Sequence, residues 1–125
     1  MTEIIIPIPE SEWISANMRP HWAAKARRSA ALRQRGFWAA KRAKVERYQC
    51  LHVTAFVQYA TAGRADPANA GPAVKALIDG LVDAGVLPDD DSAHLVGPDF
   101  RREPGRCQRG WHRVRLVLTD QEVTF

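Results

Sequence analysis

The chain has 125 residues, 46% of them hydrophobic and 26% charged, with a formal net charge of +4. This length supports one domain, predicted over residues 1–125, and is too short for two. No apolar run approaches the roughly 20 residues that a membrane-spanning helix needs. Cys50 and Cys107 have neither zinc spacing nor the cysteine density of a secreted scaffold. We therefore expect a cytoplasmic protein with reduced thiols and no membrane partner.

The predicted elements follow the order β-α-β-α-β-β. Alternating apolar residues indicate strands, and runs rich in Ala, Arg, Lys and Leu indicate helices. The predicted strands cover residues 3–9, 50–59, 94–101 and 111–119, and the predicted helices cover 21–48 and 72–84. Within the longer helix, Gly36 either interrupts or only weakens it. This order predicts a small α+β domain, with a mixed sheet and two main helices.

The second predicted helix carries two patterns on different faces. Apolar residues at helical spacing are expected to face the core, namely Val74, Leu77, Ile78 and Leu81. Lys75, Asp79 and Asp83 fall four residues apart and predict one polar stripe on another face. Pro72 is typical of a first helical turn, and Gly85 is typical of the position just past a helix end.

Charge is divided sharply along the chain. Between Asp66 and Asp99 there are seven carboxylates and one Lys, whereas between Arg19 and Arg47 there are ten Lys or Arg and one acid. A concentration of carboxylates suits a divalent metal ion, and the basic remainder suits a polyanion such as nucleic acid. His94 and His112 are expected to lack partners.

Two interpretations of the acidic block remain open. Asp89, Asp90 and Asp91 follow a helix, where such runs are commonly solvated turns. Alternatively, the block binds a metal, which requires loops at opposite ends of the second helix to converge or a second subunit to supply ligands. Asn69 is equally suited to capping a turn and to ligation.

The block resembles the RusA-like family of Holliday junction resolvases, which are small homodimeric Mg²⁺-dependent endonucleases of phages and bacteria. The family pattern is Asp-x-Asp-Asn, a Lys, an Asp four residues later, Ala-Gly and a paired Asp-Asp. The matching residues are Lys75, Asp79, Ala84, Gly85, Asp89 and Asp90, and upstream Asn17, Arg19 and His21. The likeness covers residues 4–118, nearly the whole chain.

The first motif departs from the family. It is present as Asp66-Pro67-Ala68-Asn69, with Ala68 where a second carboxylate is expected, and the gap from Asn69 to Lys75 is longer than usual. The resemblance implies Asp66 and Asp90 as catalytic metal ligands and Lys75 as the catalytic cation. It implies assisting ligands at Asp89, Asp79 and Asn69. Loss of one carboxylate weakens such a site unless another group replaces it.

The basic segment is denser than a routine solvated face, because like charges four residues apart repel unless a polyanion screens them. The residues expected to contact DNA are Arg19, His21, Lys25, Arg27, Arg28, Arg33, Arg35 and Lys41. They cannot all share one face of a helix, so only some of them reach phosphates.

The resemblance therefore implies a dimeric nuclease that uses Mg²⁺, with Mn²⁺ as a substitute, to cleave four-way junctions or other branched DNA in recombination, repair or phage DNA processing in a bacterial host. The first alternative is a branched-DNA-binding module that has lost its chemistry with the missing Asp. The second is a small basic scaffold protein whose DNA binding is insensitive to branching.

Overall fold

The structure, a computed structural model, describes residues 1–121, so the expected domain extends past it at residues 122–125. Its strands are β1 (Thr2–Pro9), β2 (Leu51–Gln58), β3 (Leu95–Arg102) and β4 (Trp111–Asp120). Its helices are α1 (Trp22–Ala43) and α2 (Gly71–Asp83), and 3₁₀ turns occupy Glu10–Glu12 and Pro67–Ala70. The predicted order β-α-β-α-β-β and the small α+β class are confirmed.

The four strands form one mixed sheet in the order β1-β4-β2-β3. Strand β4 runs antiparallel to both of its neighbours, and β2 runs parallel to β3. A parallel pair requires a crossover connection, which α2 provides. The carboxyl ends of β1, β2 and β3 therefore lie with the amino end of β4 at one edge of the sheet, which we call the 58-end after Gln58.

Alternation along the strands divides the sheet into a buried face and an open face. The buried side chains include Ile4, Ile6, Ile8, Val53, Ala55, Val57, Val114, Leu116 and Leu118, and they join the apolar residues of both helices in one core. The predicted inward residues of α2 are all buried. The intervening strand residues, such as Ile5, Phe56 and Arg115, lie on the open face, which neither helix covers.

The two helices cross in close contact at a pair of glycines. A Cβ atom added at Gly36 would lie 2.2 Å from the carbonyl oxygen of Leu77. A Cβ atom added at Gly80 would lie 2.1 Å from the carbonyl oxygen of Arg33. Gly36 therefore does not interrupt α1. It permits the backbone approach that fixes α2 against α1.

Helix α1 ends at Ala43, earlier than residue 48, where composition alone predicts its end. Lys44 adopts the left-handed conformation with φ 52°, and the N–H of Val45 donates to the carbonyl of Ala40. The turn lets Tyr48 reach the core, where it is buried and its N–H donates to the carbonyl of Val86. Burial of Tyr48 thus outweighs the helix propensity of this segment.

Helix α2 begins at Gly71, with Pro72 in its first turn, and Gly85 follows its end with a positive φ of 82°. Both predicted boundary residues therefore have their expected positions. Neither helix in the described part of the chain has the length and apolar composition that a membrane crossing requires.

Candidate functional site

Three of the motif residues meet on the exposed side of α2. The Nζ atom of Lys75 lies 3.1 Å from Oδ2 of Asp90 and 3.5 Å from Oδ1 of Asp79. Asp79 is one helical turn beyond Lys75, which places the two side chains on the same face. Asp90 is 15 residues away and reaches Lys75 only because the loop after α2 folds back along the helix. We call these three residues the Lys75 cluster.

The loop that carries Asp90 is anchored by buried residues and short hydrogen bonds. Val86 and Leu87 are buried, and the N–H of Val86 donates to the carbonyl of Leu81. The carboxylate of Asp89 accepts a 2.8 Å hydrogen bond from the N–H of Asp90. Asp89 therefore stabilises the turn that presents Asp90, and it makes no contact with Lys75.

The Lys75 cluster is an ion pair at neutral pH. The hydrogen bond from Lys75 lowers the pKa of Asp90, and desolvation by burial opposes this shift. The same hydrogen bond raises the pKa of Lys75, and the charge of Asp79 raises it further. The Lys75 side chain is 68% exposed, so solvent and ligands can reach its ammonium group.

Asp66 and Asn69 do not join the Lys75 cluster. The carboxylate of Asp66 caps the 3₁₀ turn by accepting from the N–H of Ala68 at 3.1 Å, and the carbonyl of Asn69 accepts from the N–H of Ala16 at 2.8 Å. The longer gap before Lys75 is explained by this turn, which runs directly into α2. The 3₁₀ turn therefore separates Asp66 from the helix that carries Lys75.

Asp66 and Asn69 instead line a cavity of about 570 Å³ at the 58-end. Its aromatic wall consists of Trp13, Tyr59 and His112, and its polar wall includes Glu10, Asn17 and Arg64. We call it the Trp13 cavity. Burial raises the pKa of the Tyr59 hydroxyl, while the charge of Arg102 opposes this shift and that of Asp66 adds to it.

The structure overturns the expectation that His94 and His112 lack partners. Nδ1 of His94 lies 2.9 Å from the backbone oxygen of Gln49, and His112 contacts two side chains. The His112 ring stacks on Trp13 with centroids 4.0 Å apart, and its Nδ1 lies 3.0 Å from Oε2 of Glu10, although without hydrogen-bond geometry. Burial lowers the pKa of His112, and the charge of Glu10 opposes that shift. His112 shares its strand face with Val114 and Leu116, so the alternation of β4 contained the signal for its burial.

A chain of neighbouring grooves links the Trp13 cavity to the Lys75 cluster. Ser15 and Met18 line both the Trp13 cavity and a small groove beside Arg19. Lys25 and Pro72 line both that groove and a third one, which contains Lys75 and Asp79. Asp66 and Lys75 therefore lie in grooves that are linked by shared lining residues.

The residues present fit a Mg²⁺ ion held by two carboxylates. Magnesium ions in nucleic-acid enzymes commonly use one or two carboxylates, waters and substrate phosphates. Asp79 and Asp90 would supply such a pair, although both carboxylates contact the ammonium of Lys75 in this structure, so the ion would have to replace that ammonium between them. Within residues 1–121, no group of three or more His, Cys, Asp or Glu side chains is arranged to hold a metal ion. The larger ligand set that includes Asp66 is not assembled in one protomer.

Several cations of the basic segment bind within the protein. Arg33 forms two hydrogen bonds with Asp83, and Arg35 forms two with Glu12. The guanidinium of Arg28 donates to the carbonyl of Trp13 at 2.7 Å. These three guanidinium groups therefore hold parts of the protein together and are not free in this conformation.

Other members of the predicted DNA-binding set remain available. The side chains of Lys25 and Arg27 are exposed and form no hydrogen bond or ion pair in the described structure. The Nζ atom of Lys41 lies 5.6 Å from the ring centroid of Phe37. Arg19 donates to carbonyls of its own loop, and Nδ1 of His21 accepts from the N–H of Ala23 to cap α1. The available positive charge on α1 is thus smaller than the sequence indicates.

Comparison with known proteins adds no assignment. No protein-family model matches the chain, and no curated protein matches it significantly.

Proposed function

We propose that this chain is a Mg²⁺-dependent endonuclease of branched DNA that acts as a homodimer in the bacterial cytoplasm. The observation that carries the proposal is the contact between Lys75 and Asp90, which are distant in sequence and were selected by the same motif. The positive net charge and the free cations of α1 support a polyanionic substrate.

In the proposed reaction, Lys75 would lie beside the phosphoryl oxygens of the scissile diester. Its raised pKa keeps it an ammonium ion at neutral pH, so it can stabilise the negative charge that grows on those oxygens. Asp90 and Asp79 would hold the Mg²⁺ ion, with Asp89 fixing the backbone beneath Asp90. Bound there, the ion would neutralise phosphate charge and activate the attacking water.

A homodimer would explain how two strands of one junction are cleaved. A two-fold axis relates two identical sites, which can nick two strands of a symmetric junction. Contacts to phosphates fix the position of the DNA without reading its sequence. Asp66 would then contact the substrate along the linked grooves or complete the site of the second protomer.

A second candidate, a branched-DNA-binding module without chemistry, is favoured by one specific observation. Asp66 caps a local turn rather than joining the Lys75 cluster, and Ala68 offers no carboxylate in its place. A site reduced to Asp79 and Asp90 would bind Mg²⁺ more weakly than one with three carboxylates.

The two candidates are separated by incubating a labelled four-way junction and a linear duplex of the same sequence with Mg²⁺, Mn²⁺ or EDTA. We expect paired nicks in the junction with either metal and none with EDTA. Binding of the junction without nicks under both metals would favour the binding module.

Variants then test which residues act. Lys75→Met removes the ammonium and is expected to lower the rate of cleavage by about 10²–10³-fold while junction binding persists. Asp83→Asn is the matched control, because Asp83 belongs to the same polar stripe but binds Arg33. Equal losses in the two variants would contradict a catalytic role for Lys75.

A further inference from the structure

The loop between β3 and β4 carries a second set of arginines. Arg106 and Arg109 are exposed on this loop, and Arg113 is half-buried at the start of β4. None of the three side chains forms a hydrogen bond or an ion pair within residues 1–121, in contrast to those of Arg28, Arg33 and Arg35 of α1. We call these residues the β3–β4 arginines.

The loop is held in place by its backbone. The N–H of Glu103 donates to the carbonyl of Val57, and the N–H of Cys107 donates to the carbonyl of Tyr59. The carbonyl of Gly110 accepts from the N–H of Glu10, and the carbonyl of Pro104 accepts from the Gln58 side chain. Because the loop is bound to the end of β2 and to the first 3₁₀ turn, the backbone that carries its arginines is already ordered, which reduces the entropy cost of binding.

Neighbouring acids do not neutralise these arginines. The nearest carboxylate in sequence, Glu103, is bound to Arg115 at 2.7 Å. Glu10 and Asp66 of the Trp13 cavity keep their negative charge, but neither forms an ion pair with a β3–β4 arginine in the described structure. The positive charge of the β3–β4 arginines is therefore not neutralised by an ion pair.

A second loop extends this surface. The guanidinium of Arg102 donates to the carbonyls of Thr61 and Gly63, which holds the loop before the Trp13 cavity beside the end of β3. The next residue, Arg64, is exposed and also lacks a hydrogen bond or ion pair in the described structure. Arg102 is thus a structural arginine that brings another free arginine to the same end of the sheet.

The amino-terminal part of α1 lies near the same 58-end, since the guanidinium of Arg28 donates to the carbonyls of Glu10 and Trp13, which follow β1. The free cations Lys25 and Arg27 occupy its first two turns. Arg64 lines the Trp13 cavity itself, Lys25 lines the adjoining groove beside Arg19, and the β3–β4 loop reaches the cavity where the carbonyl of Gly110 accepts from the N–H of Glu10. This arrangement can contact phosphates on two backbone segments at once.

We infer that the β3–β4 arginines form a second phosphate-binding surface for DNA, separate from α1, that holds a backbone segment beside the Trp13 cavity. Guanidinium groups on a fixed platform suit the bidentate geometry of phosphate oxygens. The exposed large apolar residues, which are Met1, Ile5, Trp22 and Trp38, all lie outside this loop. A lipid surface would find no apolar anchor there, so DNA is the better match. The choice of DNA rests on the proposed function.

The test measures binding of a fluorescent four-way junction by anisotropy over a range of salt concentrations. The variant Arg106→Gln/Arg109→Gln/Arg113→Gln removes three charges from the loop. We expect its affinity to fall about tenfold or more, and the slope of log affinity against log salt to lose about 2 to 3 units. The charge-matched control, Arg42→Gln/Lys44→Gln/Arg47→Gln, changes the opposite end of α1 and is expected to have a smaller effect.

A second measurement uses the unmodified protein. Junction DNA should protect Arg106 and Arg109 from phenylglyoxal, read by mass spectrometry, while Arg101 on the open sheet face stays reactive. Equal affinity losses in the two triple variants, or equal reactivity with and without DNA, would overturn the inference. Binding to phosphatidylserine vesicles through the same arginines, without DNA binding, would overturn it as well.

Cleavage is measured separately from binding, so failure of this inference can be distinguished from failure of the proposed endonuclease function. DNA binding that depends on the loop, without any cleavage, leaves this inference standing and removes the endonuclease. Cleavage that is insensitive to the triple loop variant, with unchanged affinity, removes the inference and leaves the endonuclease.

Discussion

The two helices differ in how deeply they enter the core. Helix α2 buries seven of its 13 residues, whereas α1 buries only three of its 22, namely Leu32, Gly36 and Ala40. The motif residues Lys75 and Asp79 therefore project from a helix whose position is fixed by packing. The basic residues project from a helix that lies mostly on the surface.

Under the proposed function, this difference suits the two helices to separate tasks. A reacting group must be held within a fraction of an ångström, and a deeply packed helix provides that support. Phosphate contacts tolerate looser placement, because their attraction acts over the Debye length of about 8–10 Å. Even so, α1 is tied down at two points, by Arg33 to Asp83 and by Arg35 to Glu12.

The largest loss of stability is expected from a substitution at the point where the helices cross. Gly80→Ala would place a Cβ atom 2.1 Å from the carbonyl oxygen of Arg33 and 2.6 Å from the amide nitrogen of Phe37, so the helices must separate. We expect the free energy of unfolding, measured with urea, to fall by about 3 kcal/mol.

Gly71→Ala is the control for this change. A Cβ atom at Gly71 meets nothing within 4 Å, and the residue already has helical dihedral angles. Its stability should stay constant or rise by about 0.5–1 kcal/mol, because alanine restricts the unfolded chain. Similar losses in both variants would show that the crossing is not the tight contact described above.

The sequence predicted the features that depend on local periodicity. The spacing of Val74, Leu77, Ile78 and Leu81 was sufficient to assign the inward face of α2, because helical geometry alone decides which residues share a face. The placement of Lys75 and Asp79 on one polar stripe follows from the same rule.

The sequence did not predict the features that depend on how elements meet. The pairing of Arg33 with Asp83 requires the close helix crossing, and the contact of Asp90 with Lys75 requires the loop after α2 to fold back. Asp66 was expected at the same site, but the 3₁₀ turn that separates it from Lys75 has no periodic signature. The free arginines of the β3–β4 loop were overlooked because Arg19 to Arg47 dominates the charge pattern.

A smaller effect, on the affinity for junction DNA, is expected when the free cations of α1 are removed. Lys25→Gln/Arg27→Gln removes two free charges and should weaken junction binding by about tenfold at physiological salt, with a reduction of the salt slope by about 2 units. Arg35→Gln is the matched control on the same helix, because its guanidinium is bound to Glu12. Anisotropy titrations in which Arg35→Gln loses as much affinity as the double variant would contradict the division between free and tied cations.

The smallest expected effect is on stability, from the ion pair between Arg35 of α1 and Glu12 of the first 3₁₀ turn. The hydrogen bond from Arg35 lowers the pKa of Glu12 below its ordinary value of 4.5. Because the carboxylate is favoured in the folded state, the ion pair stabilises the protein above pH 4.5. Below that pH the unfolded chain takes up a proton first, so the stabilisation declines and is lost as the pH passes through the lowered pKa.

Glu12→Gln should therefore reduce the free energy of unfolding by at most about 1 kcal/mol at pH 7, since the pair is partly exposed and solvent screens it. Urea titrations between pH 7 and pH 3 should show the difference from the unmodified protein shrinking below pH 4.5. The Arg33–Asp83 pair is more exposed, with side chains 53% and 37% accessible, so Asp83→Asn should show a weaker dependence of the same sign. A difference for Glu12→Gln that stays constant down to pH 3 would mean that packing of the Glu12 side chain, rather than its charge, ties α1 to the first turn.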